Sequence, residues 1–322
     1  MGCCSGLSGA DAMRLTVGIC TYNPEVATLV RAVDAVVAQV DGELSAEVIV
    51  VDNNSAPSLA SQGALDGYKI RLISEPTPGL TAAREAVINN AAGDVIVFVD
   101  DDNVLDEDYL ANAASAFEDD SRLGLLGGRI LPEYDAEPPE WFNEFEHWLA
   151  IRRYEPQLYV ETTAPPFSSH FPVGAGIAVR RDLALAYLRD CAETSRIEGR
   201  RGDALSSGED LDLGLFVLSR EYKLAVSGKL SLTHVIPKAR TSKEYIEKLA
   251  RGSVESALAL ERKWAPRFGG PIYSSFALPL RALMPRLAIT RVLGLWSPRY
   301  KVKYCIYATL SQARFGEGVQ SS

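Results

Sequence analysis

Val95-Ile96-Val97-Phe98-Val99-Asp100-Asp101-Asp102-Asn103 begins as five apolar residues and ends in three adjacent carboxylates. A short apolar run closed by turn residues reads as a strand buried on both faces, as in a parallel sheet. Comparable runs stand at residues 15–20, 48–51 and 69–73, with helical patterns at 26–40 and 81–92 between them. Strands alternating with helices predict an α/β domain with a Rossmann-like, mostly parallel central sheet flanked by helices. Right-handed crossovers would gather the loops after these strands along one sheet edge, where ligands bind.

Those loops are polar. The first strand runs into Thr21-Tyr22-Asn23-Pro24 and the second into Asp52-Asn53-Asn54-Ser55. Asn, Asp and Pro can simply turn a chain. Three consecutive aspartates are a stronger signal, because adjacent carboxylates repel unless a cation or proton intervenes. Side chains alternate along an extended segment, so Asp100 and Asp102 would face one way and Asp101 another. Such oxygen ligands suit Mg2+ or Mn2+, above all when a diphosphate completes the shell. The alternative is an acidic turn in solvent.

Beyond residue 120 the pattern loosens. Residues 123–130 read as a strand, and the stretch 138–142 carries Pro138, Pro139 and Trp141, the last a candidate to stack on a sugar or to pack in the core. Residues 155–172 are loop-rich, 173–179 read as a strand holding Gly174-Ala175-Gly176, and 181–189 as a helix. The Arg-, Gly- and Ser-rich segment 194–208 reads as mobile, with Arg200 and Arg201 either solvated or meeting phosphate. In 209–219, Leu211, Leu215 and Leu218 share helical spacing while Asp212 lies on a different face. Glu209 and Asp210 then occupy the first turn, where negative charge is favoured. A strand at 224–226 and a polar turn through Leu230, Leu232 and Val235 close the domain. Of the three histidines, His234 could reach the acidic crevice if its strand returns there, His147 falls in an aromatic amphipathic helix, and His170 has no assignable role.

In order, Thr21-Tyr22-Asn23-Pro24, Asp52-Asn53-Asn54-Ser55, Pro78-Gly79-Leu80 with Arg84, the Asp100-Asp101-Asp102-Asn103 run and Gly208-Glu209-Asp210 resemble a nucleotide-sugar glycosyltransferase of family 2 with the GT-A fold. The resemblance covers residues 15–237. It implies that Thr21 and its neighbour Asn23 line a nucleotide pocket, that Asp52 accepts a hydrogen bond from a pyrimidine, and that Arg84 lies near base and phosphates. It further implies Asp100 and Asp101 on the nucleotide side, Asp102 on a divalent ion, and His234 joining that ion as in some relatives. Asp210 matches the catalytic base, with Glu209 orienting it or the acceptor. Gly174, Ala175 and Gly176 would let backbone approach the donor sugar or acceptor. The implied reaction is metal-dependent inverting transfer from a UDP- or TDP-sugar to a glycan, lipid-linked or small-molecule hydroxyl. A sugar-phosphate nucleotidyltransferase and a non-catalytic glycan-binding protein are the alternatives. The first normally carries a Gly-rich basic loop after strand one, which residues 21–24 do not supply.

With 47% hydrophobic and 23% charged residues, 25 Gly and 17 Pro, the 322-residue chain is neither disordered, collagenous nor coiled-coil in composition. A net charge of -9 argues against nucleic acid as a partner. Five scattered cysteines fit neither a disulfide framework nor a zinc site and favour a cytoplasmic protein. Residues 1–13 read as a disordered terminus, 14–237 as the catalytic domain with a nucleotide-binding half to 120 and an acceptor half from 121, and 238–322 as a helical C-terminal appendage. Charge separates the last two: residues 1–237 hold 18 Lys+Arg against 37 Asp+Glu, and 238–322 hold 15 against 5. The basic appendage either packs on the acidic domain or on a second subunit as a homo-oligomer contact, or lies peripherally on an anionic membrane at its inner face, with Trp296, Tyr300 and Tyr304 at the interface. No apolar run is long enough for a transmembrane span.

Overall fold

The computed structural model describes residues 13–40, 44–194, 197, 199–200, 208–273 and 280–315. Residues 1–12 of the expected terminus and most of the segment 194–208, Arg201 included, lie outside the described residues. The first half runs β1 (Leu15–Thr21), α1 (Val26–Val40), β2 (Ala46–Asp52), α2 (Leu59–Gln62), β3 (Arg71–Ser74), α3 (Leu80–Asn90) and β4 (Val95–Asp100). Its strands pair in the order β3-β2-β1-β4, all parallel. The second half adds β5 (Asn103–Leu105), α4 (Tyr109–Asp119), β6 (Leu123–Tyr134), β7 (Tyr159–Thr162), β8 (Ala178–Arg180), α5 (Arg181–Glu193), α6 (Glu209–Ser219) and β9 (Lys223–Ile236). The nine-stranded sheet continues from β4 through β8, β6 and β9 to β5, with β7 also on β9. β5, β7 and β8 run against the other six strands.

Strand alternation builds the layers. Val95, Val97 and Val99 of β4 face a core shared with Leu29, Val33 and Val36 of α1 and Phe117 of α4. Ile96 and Phe98 face the opposite core, with Val87 of α3, Tyr187 of α5 and Phe216 of α6. β4 thus needs apolar residues on both sides, hence its continuous apolar run. Gly18 allows α3 close to β1, because a Cβ there would lie 2.4 Å from Val87.

Three helices follow: α7 (Lys243–Phe268), α8 (Leu280–Leu293) and α9 (Pro298–Phe315). Ser242 caps α7 by accepting from the Tyr245 amide at 3.3 Å, and Gly269 ends it in the left-handed region at φ 69°. α7 places Ile246 and Leu249 in the first core and Leu260 and Trp264 in the second. It therefore spans the sheet edge at which the polar loops collect. Among the described residues no helix is long and apolar enough to cross a membrane.

Three local expectations are corrected. The strand expected at 173–179 is only β8, because the chain turns at Gly176 with φ +72° and the Ile177 amide reaches back toward Gly174. The strand and polar turn expected at 224–235 are one strand, β9, whose register on β6 shifts after Gly128. The helix expected around His147 is a pair of short 3-10 turns, Glu140–Glu144 and Glu146–Leu149.

Candidate active site

Sheet register assembles the site. Cys20 at the end of β1 lies opposite Asp100 in β4, and Thr21 lies opposite Asp52 in β2. On the far side, Asn103 of β5 is paired with His234 of β9, and the Val235 amide donates to the Asp102 carbonyl at 2.8 Å. One short antiparallel pairing thus brings the late histidine to the triple aspartate. α6 enters the same space with its N-terminus foremost, and α7 and α9 close it.

The result is a cavity of about 1220 Å3 whose wall includes Thr21, Asp100, Asp101, Asp102, His234, Glu209 and Asp210. Arg84, Gly174 and Ala175 also line it, and so does Arg200. Four expected residues are not on this wall. Asp52 is 3% exposed, with its carboxylate accepting from the Ser55 and Leu59 amides at 3.0 and 2.8 Å. It braces the turn, and its neighbour Asn53 lines the cavity instead. Asn23 also braces that turn, accepting from the Ala56 amide at 2.8 Å. Trp141 packs among Phe142 and Phe145, and Trp148 supplies the indole at the cavity. Gly176 lies behind the wall, its carbonyl accepting from the Tyr109 hydroxyl at 2.6 Å.

Arg84 joins the two acidic sides. Its Nη1 donates to Glu209 Oε1 at 3.1 Å, and its Nη2 faces Asp100 Oδ1 at 3.6 Å. The guanidinium lies over the Phe98 ring at 5.5 Å, and its buried Nε has no partner among the described residues. Gly174 makes room for it, since a Cβ there would come within 2.8 Å of Nη2. Burial pushes the Glu209 carboxyl up, against the pull of Arg84. Asp210 accepts the Gly174 amide on Oδ2 at 2.7 Å, which ties the start of α6 to the loop before β8.

The three aspartates differ. Burial pushes Asp101 up to about 7, helped by the charge of Asp102 and opposed by the Thr21 hydroxyl that donates to it at 2.5 Å. Burial likewise raises Asp100, against Arg84. Asp102 is buried too, but His234 and Arg240 outweigh the burial and hold its carboxyl below the usual range. Arg240 Nη1 donates to Asp102 Oδ2 at 2.7 Å, and His234 Nε2 lies 3.4 Å from the same oxygen. His234 Nδ1 donates to the Leu149 carbonyl at 3.0 Å, which leaves Nε2 as the ring nitrogen that faces the carboxylate. A carboxylate oxygen and an imidazole nitrogen stand together here, the types of donor that a divalent ion takes, although Arg240 already occupies that oxygen. Among the described residues no group of three or more His, Cys, Asp or Glu gathers for a metal ion. Sequence reasoning missed Arg240; its only sequence signal is the change to positive charge just beyond His234.

A crossover sheet that delivers an acidic run to one edge, with a second carboxylate pair across a ligand-sized cavity, is the layout of a GT-A glycosyltransferase, an enzyme class. The model of the family "Glycosyl transferase family 2" matches residues 16–187, and the chain belongs to that family. A glucosyl-dolichyl phosphate glucuronosyltransferase of Haloferax volcanii is 29% identical over 141 residues, 42% of this chain and 44% of its own length. The succinoglycan biosynthesis protein ExoM of Rhizobium meliloti is 23% identical over 247 residues, 74% of this chain and 72% of its own. Among solved structures, S. aureus TarS 1-349 matches at TM-score 0.48 and 16% identity, covering 95% of this chain and 92% of that one.

Proposed function

We propose that the protein is a metal-dependent, inverting glycosyltransferase that moves a sugar from a UDP- or TDP-sugar to an acceptor hydroxyl. The observation that carries this reading is that Asp102 and Asp210, far apart in sequence, line one cavity of about 1220 Å3. Pockets for single small ligands run to about 300–1,000 Å3, so donor and acceptor have room together.

In the proposed reaction Asp210 takes the proton of the acceptor hydroxyl as its oxygen attacks the anomeric carbon. The bond from that carbon to the phosphate oxygen breaks, and the electron pair leaves on the nucleoside diphosphate. Attack from the face opposite the leaving group inverts the anomeric centre without a covalent sugar intermediate. The Gly174 amide orients Asp210, and Arg84 fixes Glu209 beside it. Arg84 itself lines the cavity, where its positive charge would face a phosphate. Asp102 and His234 would hold a Mn2+ or Mg2+ ion, which when bound supplies positive charge against the departing diphosphate. Glycan, lipid-linked and small-molecule acceptors all fit this chemistry. Cytoplasmic placement at the inner face of a membrane belongs to the same reading.

A thermal-shift panel with UDP, TDP, GDP and nucleoside triphosphates, with and without Mn2+, tests it. A ligand at about 100 times its Kd adds about 2.7 kcal/mol to stability, a readily measured shift. Mn2+-dependent stabilisation by UDP or TDP is expected. Stabilisation by triphosphates alone would point to nucleotidyl transfer, and none with any diphosphate would remove the donor site.

A further inference from the structure

The exposed large hydrophobic side chains of the described residues concentrate in one place. Met284, Ile289, Val292, Leu293, Leu295 and Trp296 are 43%, 57%, 61%, 38%, 78% and 86% exposed, on α8 and the turn after it. Among its described side chains, those of residues 283–293, α8 buries the stripe Leu283, Leu287 and Thr290. At about 100° per residue, Met284, Pro285, Ala288, Ile289, Val292 and Leu293 fill a continuous half-circle of the helix. Arg286 stands at one border of that arc and Arg291 at the other, with the buried stripe beyond them. A soluble surface helix shows the reverse pattern, with its apolar arc turned inward.

The segment that carries this face is basic in sequence, although Lys263, Arg267, Arg299 and Lys303 are already paired with Asp212, Asp190 and Glu144. Residues 262–316 contain ten Lys and Arg and no Asp or Glu. Two copies meeting face to face through α8 would bring the arginines that border the arc, Arg286 and Arg291, against their counterparts, whereas a lipid surface offers acidic headgroups at the level of both and acyl chains for the apolar arc between them. Trp296, the most exposed of the set, has the amphipathic ring that settles at such an interface.

We infer that α8 and the turn after it are a docking surface for an anionic lipid bilayer, on which the protein lies without crossing it. Arg286 lines the catalytic cavity as well as bordering the apolar arc. Docking would therefore set the cavity mouth at the headgroup level, where an amphiphilic acceptor arrives. This deepens the glycosyl-transfer reading by naming a partner, but the surface stands on geometry that needs no donor.

The test is co-sedimentation of the full chain with phosphatidylcholine vesicles containing roughly a third phosphatidylglycerol, against phosphatidylcholine alone, at low and at molar salt. The expected result is partitioning onto anionic vesicles at least tenfold above neutral ones, weakened by salt, with a blue shift of Trp296 emission. Val292→Asp and Trp296→Ala should each lower partitioning about tenfold, with the circular dichroism spectrum and melting temperature retained. Equal partitioning on both vesicle types, or an unchanged Val292→Asp variant, would overturn the inference. So would a concentration-dependent dimer in light scattering that Val292→Asp dissolves, because the face would then belong to a second copy. The nucleotide thermal-shift panel, run in parallel, fails or succeeds independently of the vesicle result.

Discussion

Arg84 on α3 donates to Glu209 at the start of α6 across 3.1 Å, joining the parallel half of the sheet to the helix that carries Asp210. The two side chains are 10% and 12% exposed, so the pair is largely shielded from water. Removing one partner of a buried pair leaves a lone buried charge and typically costs about 3–5 kcal/mol. Arg84→Met should therefore lower stability by about 3 kcal/mol and depress transfer, as read by denaturant melts and turnover together. A melt unchanged from the parent would show that Glu209 finds another counter-charge.

Asp210→Asn keeps the size of the side chain and an oxygen that can accept from the Gly174 amide, but loses the proton acceptor. Positioned general bases contribute about 10²–10⁴-fold. Turnover should drop by that order while the nucleotide thermal shift persists. Near-normal turnover would hand the proton to another group.

How far the chain was legible depends on the range of the signal. The parallel half, the helix at 26–40 and the helix at 209–219 were readable because each is encoded within its own window. His234 was readable only conditionally, since its place depends on the pairing of Asn103 with a strand 131 positions later. Trp141 and Trp148 have the same chemistry in one aromatic run, and only the 3-10 turns decide that the second faces the cavity. Asp52 looked like a ligand residue, and its neighbour Asn53 took the wall because the Asp52 carboxylate caps the turn it precedes. In each case the missing information was a partner distant in sequence or a backbone turn, not a side-chain type.

Glu144 supplies a pH-dependent contact at the base of α9. Burial would raise its carboxyl, but Lys303 at 2.5 Å and Arg299 more than offset this and hold it below its ordinary 4.5. A depressed folded pKa means stability that is present above the unfolded pKa and lost as pH falls through the folded one. Glu144→Gln should lower the melting temperature at neutral pH and lose that difference in strong acid, below the folded pKa. The pair is partly exposed, so the effect should be modest and should shrink in molar salt. A difference that persists unchanged at pH 2 would assign it to packing.

Asp212 was expected on a face away from the leucines of α6, and the structure buries it completely. Its Oδ1 accepts from the Trp264 indole at 2.6 Å, and its Oδ2 from Lys263 at 2.8 Å and the Tyr187 hydroxyl at 2.9 Å. Three elements, α5, α6 and α7, thereby meet at one carboxylate two residues after Asp210. Asp212→Ala strands the Lys263 ammonium, whose side chain is 5% exposed, and should cost about 3–5 kcal/mol. The double variant Asp212→Leu with Lys263→Met removes both charges and should recover much of that loss, because apolar replacements of buried pairs are often neutral. If the network also fixes the tilt of α6, the double variant should melt near the parent temperature yet turn over more slowly, with the defect in kcat rather than in donor affinity. Full recovery of both stability and kcat would confine Asp212 to holding the helices together.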